Sequence, residues 1–431
     1  MAAPRINYLA ANFSYAPLLT KDNYIDALTK FLVSGFGPWG IDKIKVTNKV
    51  ARVTTSEKRF YSVPGCKLSI GGTNVAAIDD SHQLTEVFND GFSFNIDTPD
   101  GEYTNGVTYS VPSLGWSLVK QTTVTTIYKS GGGVVPFYVI IQKRPVGNFV
   151  DNRYDYHLVY IAYELDQNND PVAAYPLSTS EGAHMLPMHP FTLSFTPANY
   201  NAKMNWFFYG DPAMFIAAGD ARTTSTQESI RNGEMGQLSS LVIGESKPLG
   251  RNIPVTFMCG NRVSYAELVN NWRAVNWNGN YNASPALCGY WTNGATIDTA
   301  FIGANAPGGR INFVLGGVTF PKRQFTSWSG NRIGKTASFI NNYQEFNFLP
   351  MEIYDYTFYR CGLVPGVYAL DNRPYNIETE PQRKFTLMVN NRARHGVLVR
   401  TSSSASNWSG GGSSAADIDA VAFLDLTGPI R

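Results

Sequence analysis

The sequence predicts a mainly β protein, built as several sandwich-like or barrel-like domains behind an N-terminal arm and one short helix. Three observations carry that expectation. Beyond Gly40 the apolar residues recur with a period of 2 instead of 3.6, in runs filled by Val, Ile, Thr, Tyr and Phe, the residues that suit a half-buried pleated surface. Those runs are short and are punctuated by turn chemistry, including Asp90-Gly91, Asp100-Gly101, Asn105-Gly106 and Asn293-Gly294. Finally, the 431 residues are 13% aromatic and only 16% charged, with 39 Gly and 24 Pro. A typical soluble chain is about 25% charged. Low charge with many aromatics excludes both wholesale disorder and long charge-laced coiled coils.

Taken in order, the arm covers residues 2–20, contains Pro4 and Pro17, and shows no clear period. A helix comes next. Asp22 is placed to cap it, Ile25, Leu28 and Leu32 recur at i, i+3 and i+7, and Gly35 supplies the stop. The apolar stripe is narrow, so the helix is expected to dock on something else. That partner is either a neighbouring subunit, which would make Ile25, Leu28 and Leu32 an assembly helix, or the chain's own domain. Strand-like runs then occur at 134–142, 157–165, 191–195, 205–209, 253–258 and 311–320. Further runs lie at 352–359, 384–389, 396–400 and 417–426. Residues 220–236 read as a short helix or a loop. The glycine-rich stretches 130–133 and 409–413 read as flexible loops. The expected division is an arm and helix at 1–36, a β domain at 37–112, a sandwich-like domain at 113–247 and a C-terminal β domain at 248–431. No repeat of 20 to 50 residues is visible, which weighs against propellers and β-helices.

The charges balance at 35 Lys plus Arg against 33 Asp plus Glu. No basic block is present of the kind that neutralises several phosphates, so nucleic acid is not an expected partner. Cys66, Cys259, Cys288 and Cys361 are scattered singly, which suits isolated thiols in a reducing compartment better than a disulfide framework. The N-terminal residues lack the apolar core of a secretory signal, and no apolar run approaches the length of a membrane span. Synthesis in a cytoplasm without membrane insertion is the expectation.

Catalytic and metal motifs are weak. The stretch 329–336 ends in Gly334-Lys335-Thr336, but Ser329 stands where a phosphate-binding loop needs glycine. Glu181, His184 and His189 have the wrong spacing for a zinc helix, and Pro187 and Pro190 forbid that helix. Asp166, Asn168 and Asp170 resemble the start of a calcium loop, yet Pro171 occupies the glycine position and Leu177 replaces the bidentate glutamate, so a hairpin turn is expected. Acid pairs such as Asp79-Asp80 and Glu352/Asp355 offer the two carboxylates a glycosidase needs, as many β proteins do by chance. No nucleophile elbow is found. No catalytic, cofactor or metal residues are assigned, and no enzyme is expected.

The segment 270–294 is richer. Trp272, Trp277, Tyr281, Tyr290 and Trp291 alternate there with Asn and Gly. Exposed, they would offer rigid contact area to a sugar or a protein; buried, they would be core and subunit packing.

Several segments together resemble a group of tailed-bacteriophage virion proteins. The stretch 26–37 is similar to that group's L-V-x-G-F/Y-G opening. Residues 65–73 and 88–94 resemble its next β segment, and Trp116 after Leu114-Gly115 matches a Gly-Trp followed by strands. Phe208-Tyr209-Gly210-Asp211 with Gly219-Asp220 resembles an F-G-D…G-D-A segment. Residues 360–368 and 424–429 resemble C-terminal R-G-x-x-P-G-x-Y and L-D-L-T-G-P-W motifs, with Ile430 in the tryptophan position and Cys361-Gly362 splitting the first motif differently. The order is the same along the chain. The resemblance implies a structural component of the virion that forms a symmetric ring or sleeve in the tail, baseplate or neck. Its partners would be copies of itself and other tail or neck proteins. It supplies no catalytic or ligand residues. The alternatives are a module that binds host-surface glycan through the 270–294 aromatics, and a virion-borne cell-wall or capsule hydrolase.

Overall fold

A computed structural model describes residues 7–11, 23–56, 64–145, 155–172, 183–185, 206–220, 238–248, 256–260, 262–263, 289–291, 318–319, 348–355, 360–370, 384–389, 392–402 and 420–426. Among the described residues the chain is mainly β, as the period and turn chemistry predict, with one short helix. Among the described residues there are four sheets, and every strand pairing is antiparallel. Their spatial orders are open, so among the described residues none closes into a barrel. Of the sandwich-like and barrel-like alternatives, the described residues give open antiparallel sheets.

The first sheet holds eight strands between Phe36–Gly40 and Thr108–Val111. It is bent about Ser81–Phe88, whose first half pairs with Lys67–Gly71 and whose second half pairs with Gly91–Asn95. A register shift between Leu84 and Glu86 marks the bend, as a β-bulge does. The halves fold onto one another, so Phe92 meets Tyr109 ring to ring at 5.6 Å. Alternation does the sorting: along Lys43–Thr47 and Val50–Thr54, Ile44, Val46, Ala51 and Val53 are buried while their neighbours face out. This hairpin turns through Asn48 and Lys49, both at positive φ, the geometry of a type I′ turn.

The second sheet runs Ser117–Gln121, Thr125–Lys129, Tyr138–Pro145, Asp155–Ala162, Ala183–Met185 and Arg262–Val263. The third runs Asn7–Ala11, Trp206–Asp211, Met214–Asp220, Leu238–Glu245, Thr256–Gly260 and Gly289–Trp291. The fourth runs Val318–Thr319, Phe348–Asp355, Arg360–Leu370, Ala420–Asp425, Arg392–Ser402 and Lys384–Val389, and Lys247–Pro248 pairs with its Arg360–Leu370. Pairings also join segments far apart in the sequence. The arm's strand joins the third sheet at Trp206–Asp211, and Leu238–Glu245 pairs with Thr256–Gly260 across residue 248.

The helix Tyr24–Thr29 continues as a π turn, Lys30–Ser34, and stops at Gly35. Gly35 has φ +83°, and a Cβ there would lie 2.6 Å from the Val111 carbonyl oxygen, so only glycine fits. The described N-cap is Asn23 instead of Asp22, and it makes no side-chain capping bond. Leu28 and Leu32 are fully buried and Ile25 packs beside them, all in the chain's own core. This corrects the assembly-helix reading, because the apolar stripe is covered from within. The helix's last carbonyls, usually orphaned, are met as well: Leu114 N–H donates to Phe31 O and Trp116 N–H to Leu32 O.

Candidate functional site

Six segments far apart in the sequence meet around Tyr209, where all four sheets approach. Tyr209 lies on Trp206–Asp211, one strand in from the arm, and is completely buried. Its hydroxyl reaches the Asp425 carbonyl oxygen at 2.8 Å and the Gly366 carbonyl oxygen at 3.3 Å, joining the third sheet to the fourth. Asp425 is buried and its carboxylate pairs with Arg394 at 3.4 Å. A buried carboxylate needs such a cationic partner to offset its lost hydration.

Two residues further, Asp211 closes a two-residue hairpin loop, Pro212-Ala213, by accepting the Ala213 N–H on Oδ1 at 2.7 Å. Its backbone oxygen accepts the Trp116 indole N–H at 3.1 Å. Trp116 stands edge-on to Phe137 at 5.5 Å and to Phe215 at 5.4 Å, which packs the second sheet's leading segment on the third. Gly210 between them is obligatory, since a Cβ would sit 2.3 Å from the Met214 carbonyl oxygen. The helix arrives on the same strand: Tyr24 and Phe31 meet Phe208 at 5.8 Å and 5.2 Å. The first sheet joins through Gln83, whose amide donates to both Gly65 O and Leu426 O. Gly65, at φ +94°, lets Leu426 approach to what would be 2.9 Å of a Cβ.

Two latches surround this junction. The Thr29 hydroxyl donates to Ile25 O at 2.8 Å, so the Tyr128 hydroxyl is the donor in its 2.6 Å bond to Thr29, fixing the helix to the second sheet. Burial pushes the Tyr128 phenol well above its usual pKa, the Thr29 bond opposes the rise and Asp26 adds to it. Glu245, buried at the end of its strand, accepts the successive Val134 and Val135 amides at 2.8 and 3.0 Å. Gly131 N–H donates to Pro212 O, and Ser130 exchanges bonds with Phe137. The 130–133 loop is thus tied at several points, which corrects the flexible reading, while Val134 beyond it stays 69% exposed.

The other sequence candidates fall apart as chemistry. Trp272, Trp277 and Tyr281 lie outside the described residues. Tyr290 and Trp291 sit in Gly289–Trp291, the terminal described strand of the third sheet, in register with Met258 and Phe257. The 166–170 segment is a turn: Asp166 accepts the Asn168 and Asp170 amides at 2.8 Å, and Lys120 reaches Asp170. Those amide bonds hold the exposed Asp166 carboxyl below its usual pKa. Asp79 and Asp80 serve the backbone too. Burial works against ionisation of Asp79, but Thr73 and Asn74 donate to it and the balance lowers its pKa. Asp80 accepts the Ser81 amide. Glu352 and Asp355 share the strand Phe348–Asp355. His184 lies on Ala183–Met185 opposite Arg262, while Glu181, His189 and the 329–336 segment lie outside the described residues. Among the described residues no group of three or more His, Cys, Asp or Glu is gathered as a metal would require.

The chemistry of the junction is cohesive: carbonyls, amides and carboxylates are met by this chain, and what they accomplish is to hold elements at fixed positions. Tyr209 at its centre lies within the 208–211 segment singled out in the sequence, whereas Glu245 carries no motif signal there. Compared with protein-family models, curated proteins and solved structures, the chain matches none.

Proposed function

We propose that this chain is a structural component of a tailed-phage virion, forming a symmetric ring or sleeve in the tail, baseplate or neck. One observation carries the reading. The segments that resemble the virion group are separated by up to about four hundred residues in sequence, yet members of six of them touch at the Tyr209 junction: Phe31 and Leu32, Gly65, Leu114 and Trp116, Phe208 to Asp211, Gly366, and Asp425 with Leu426. A set of collinear motifs that lock one another suits a scaffold geometry better than a reactive site. Function in such a protein is contact, with copies of itself and with other tail or neck proteins, and a closed ring needs one patch to meet a different patch on the next copy.

Quantitative mass spectrometry of purified particles, referenced to the major capsid protein, tests this. A small multiple of three or six copies, up to roughly a dozen, is the expected result for a ring. Hundreds of copies would mean a tube or a capsid decoration, and absence from particles would overturn the virion reading.

A further inference from the structure

The geometry points to strand exchange: we infer that the slot beside Trp206–Asp211 accepts the N-terminal strand of a second copy of this chain. In the single chain that slot is filled by Asn7–Ala11, paired residue for residue from Asn7↔Gly210 to Ala11↔Trp206. The donor strand therefore comes from about 200 residues away and is the outer strand of its sheet among the described residues. Trp206–Asp211 is bound on its other side to Met214–Asp220. Without the arm it would present a row of unpaired N–H and C=O groups, the template that recruits another strand. Backbone pairing does not depend on which copy donates, so the exchanged and closed forms make the same bonds and domain swapping costs little.

The anchoring of the chain beyond the donor strand makes exchange feasible. The next described element, the helix from Tyr24, is held by ring contacts to Phe208 on the acceptor strand itself. It stays with its own body while the strand leaves. Eleven residues, 12–22, connect strand to helix, and fully extended they span at most about 40 Å. That length sets the greatest distance to the neighbour's slot. The inference rests on the assembly reading above only in taking the partner to be another copy.

The test uses the full chain carrying Ala11→Cys and Trp206→Cys, residues that face one another in the register, oxidised over a range of concentrations. Covalent dimers and longer ladders on a non-reducing gel, absent from both single variants, are expected. A double variant that migrates only as an internally linked monomer at every concentration overturns the inference. A second measurement avoids dependence on that variant's folding. Protein lacking residues 2–12 should lose the oligomers the full chain forms and should bind a fluorescent peptide of residues 4–14. Unchanged oligomers, or no peptide binding, overturn it as well. The two readings fail separately: a ring protein in particles whose links stay within chains keeps the virion reading, and a ladder from a protein missing from particles keeps the exchange.

Discussion

Tyr24 shows what a single side chain costs and contributes. Its ring is completely buried against Phe208, while its hydroxyl has no hydrogen-bond partner among the described residues. An unpaired buried hydroxyl carries a desolvation penalty of about 1–3 kcal/mol. Tyr24→Phe keeps the ring contact and removes that penalty, so the melting temperature should stay the same or rise; a clear fall would mean that the hydroxyl has a partner. The same burial pushes the phenol's pKa well above its usual value. A raised pKa contributes stability that is present below the unfolded value and is lost as pH climbs through the folded one. Melts collected between about pH 9 and pH 12 should therefore fall less steeply for Tyr24→Phe than for the parent.

At the scale of elements, the Glu245 latch is the feature to perturb. It joins the end of Leu238–Glu245 to the loop that precedes Tyr138–Pro145. Glu245→Gln keeps the volume but sets an amide donor against two backbone donors, and bonds to a charged acceptor are worth about 1.5–3 kcal/mol. Exchange of the Val134 and Val135 amides should rise at least about tenfold, since 1.4 kcal/mol is one factor of ten. Unchanged exchange would show that Gly131 and Ser130 hold the loop alone. This loop also shows where sequence reading falls short. The apolar run 134–142 suggests a strand from Val134, yet the strand begins at Tyr138 because Glu245, over a hundred residues away, claims the Val134 and Val135 amides. By contrast the run 384–389 is recovered to the residue, its alternation being local. The Asn48-Lys49 turn escapes the glycine-based turn signals because a lysine there takes positive φ.

At the scale of the molecule, Tyr209 binds the third sheet to the fourth. Tyr209→Phe strips a donor from two buried carbonyls, a loss of about 1–3 kcal/mol. Exchange should accelerate together in Met214–Asp220 and Ala420–Asp425, because the bond belongs to both sheets. A change confined to one of them would show that the junction does not couple the sheets. The sequence discloses the segments that meet here but not their meeting. A period of 2 reports which face of a strand is buried, whereas contacts such as Tyr209 with Asp425 span 216 positions and leave no local trace. Only the crowding glycines, Gly65 and Gly210, hint at close approach.

The same long span governs the timing of folding. Contacts between distant positions must recover loop-closure entropy late, so high contact order slows folding. A ribosome adds about 5–20 residues each second. Tyr209 therefore waits on the order of ten seconds or more before Asp425 exists to receive its hydroxyl. Until translation has passed Leu426, Gln83 also lacks one of its two carbonyl acceptors. Nascent chains interrupted before that point cannot complete the joint, which keeps truncated products from adopting the geometry of the finished chain.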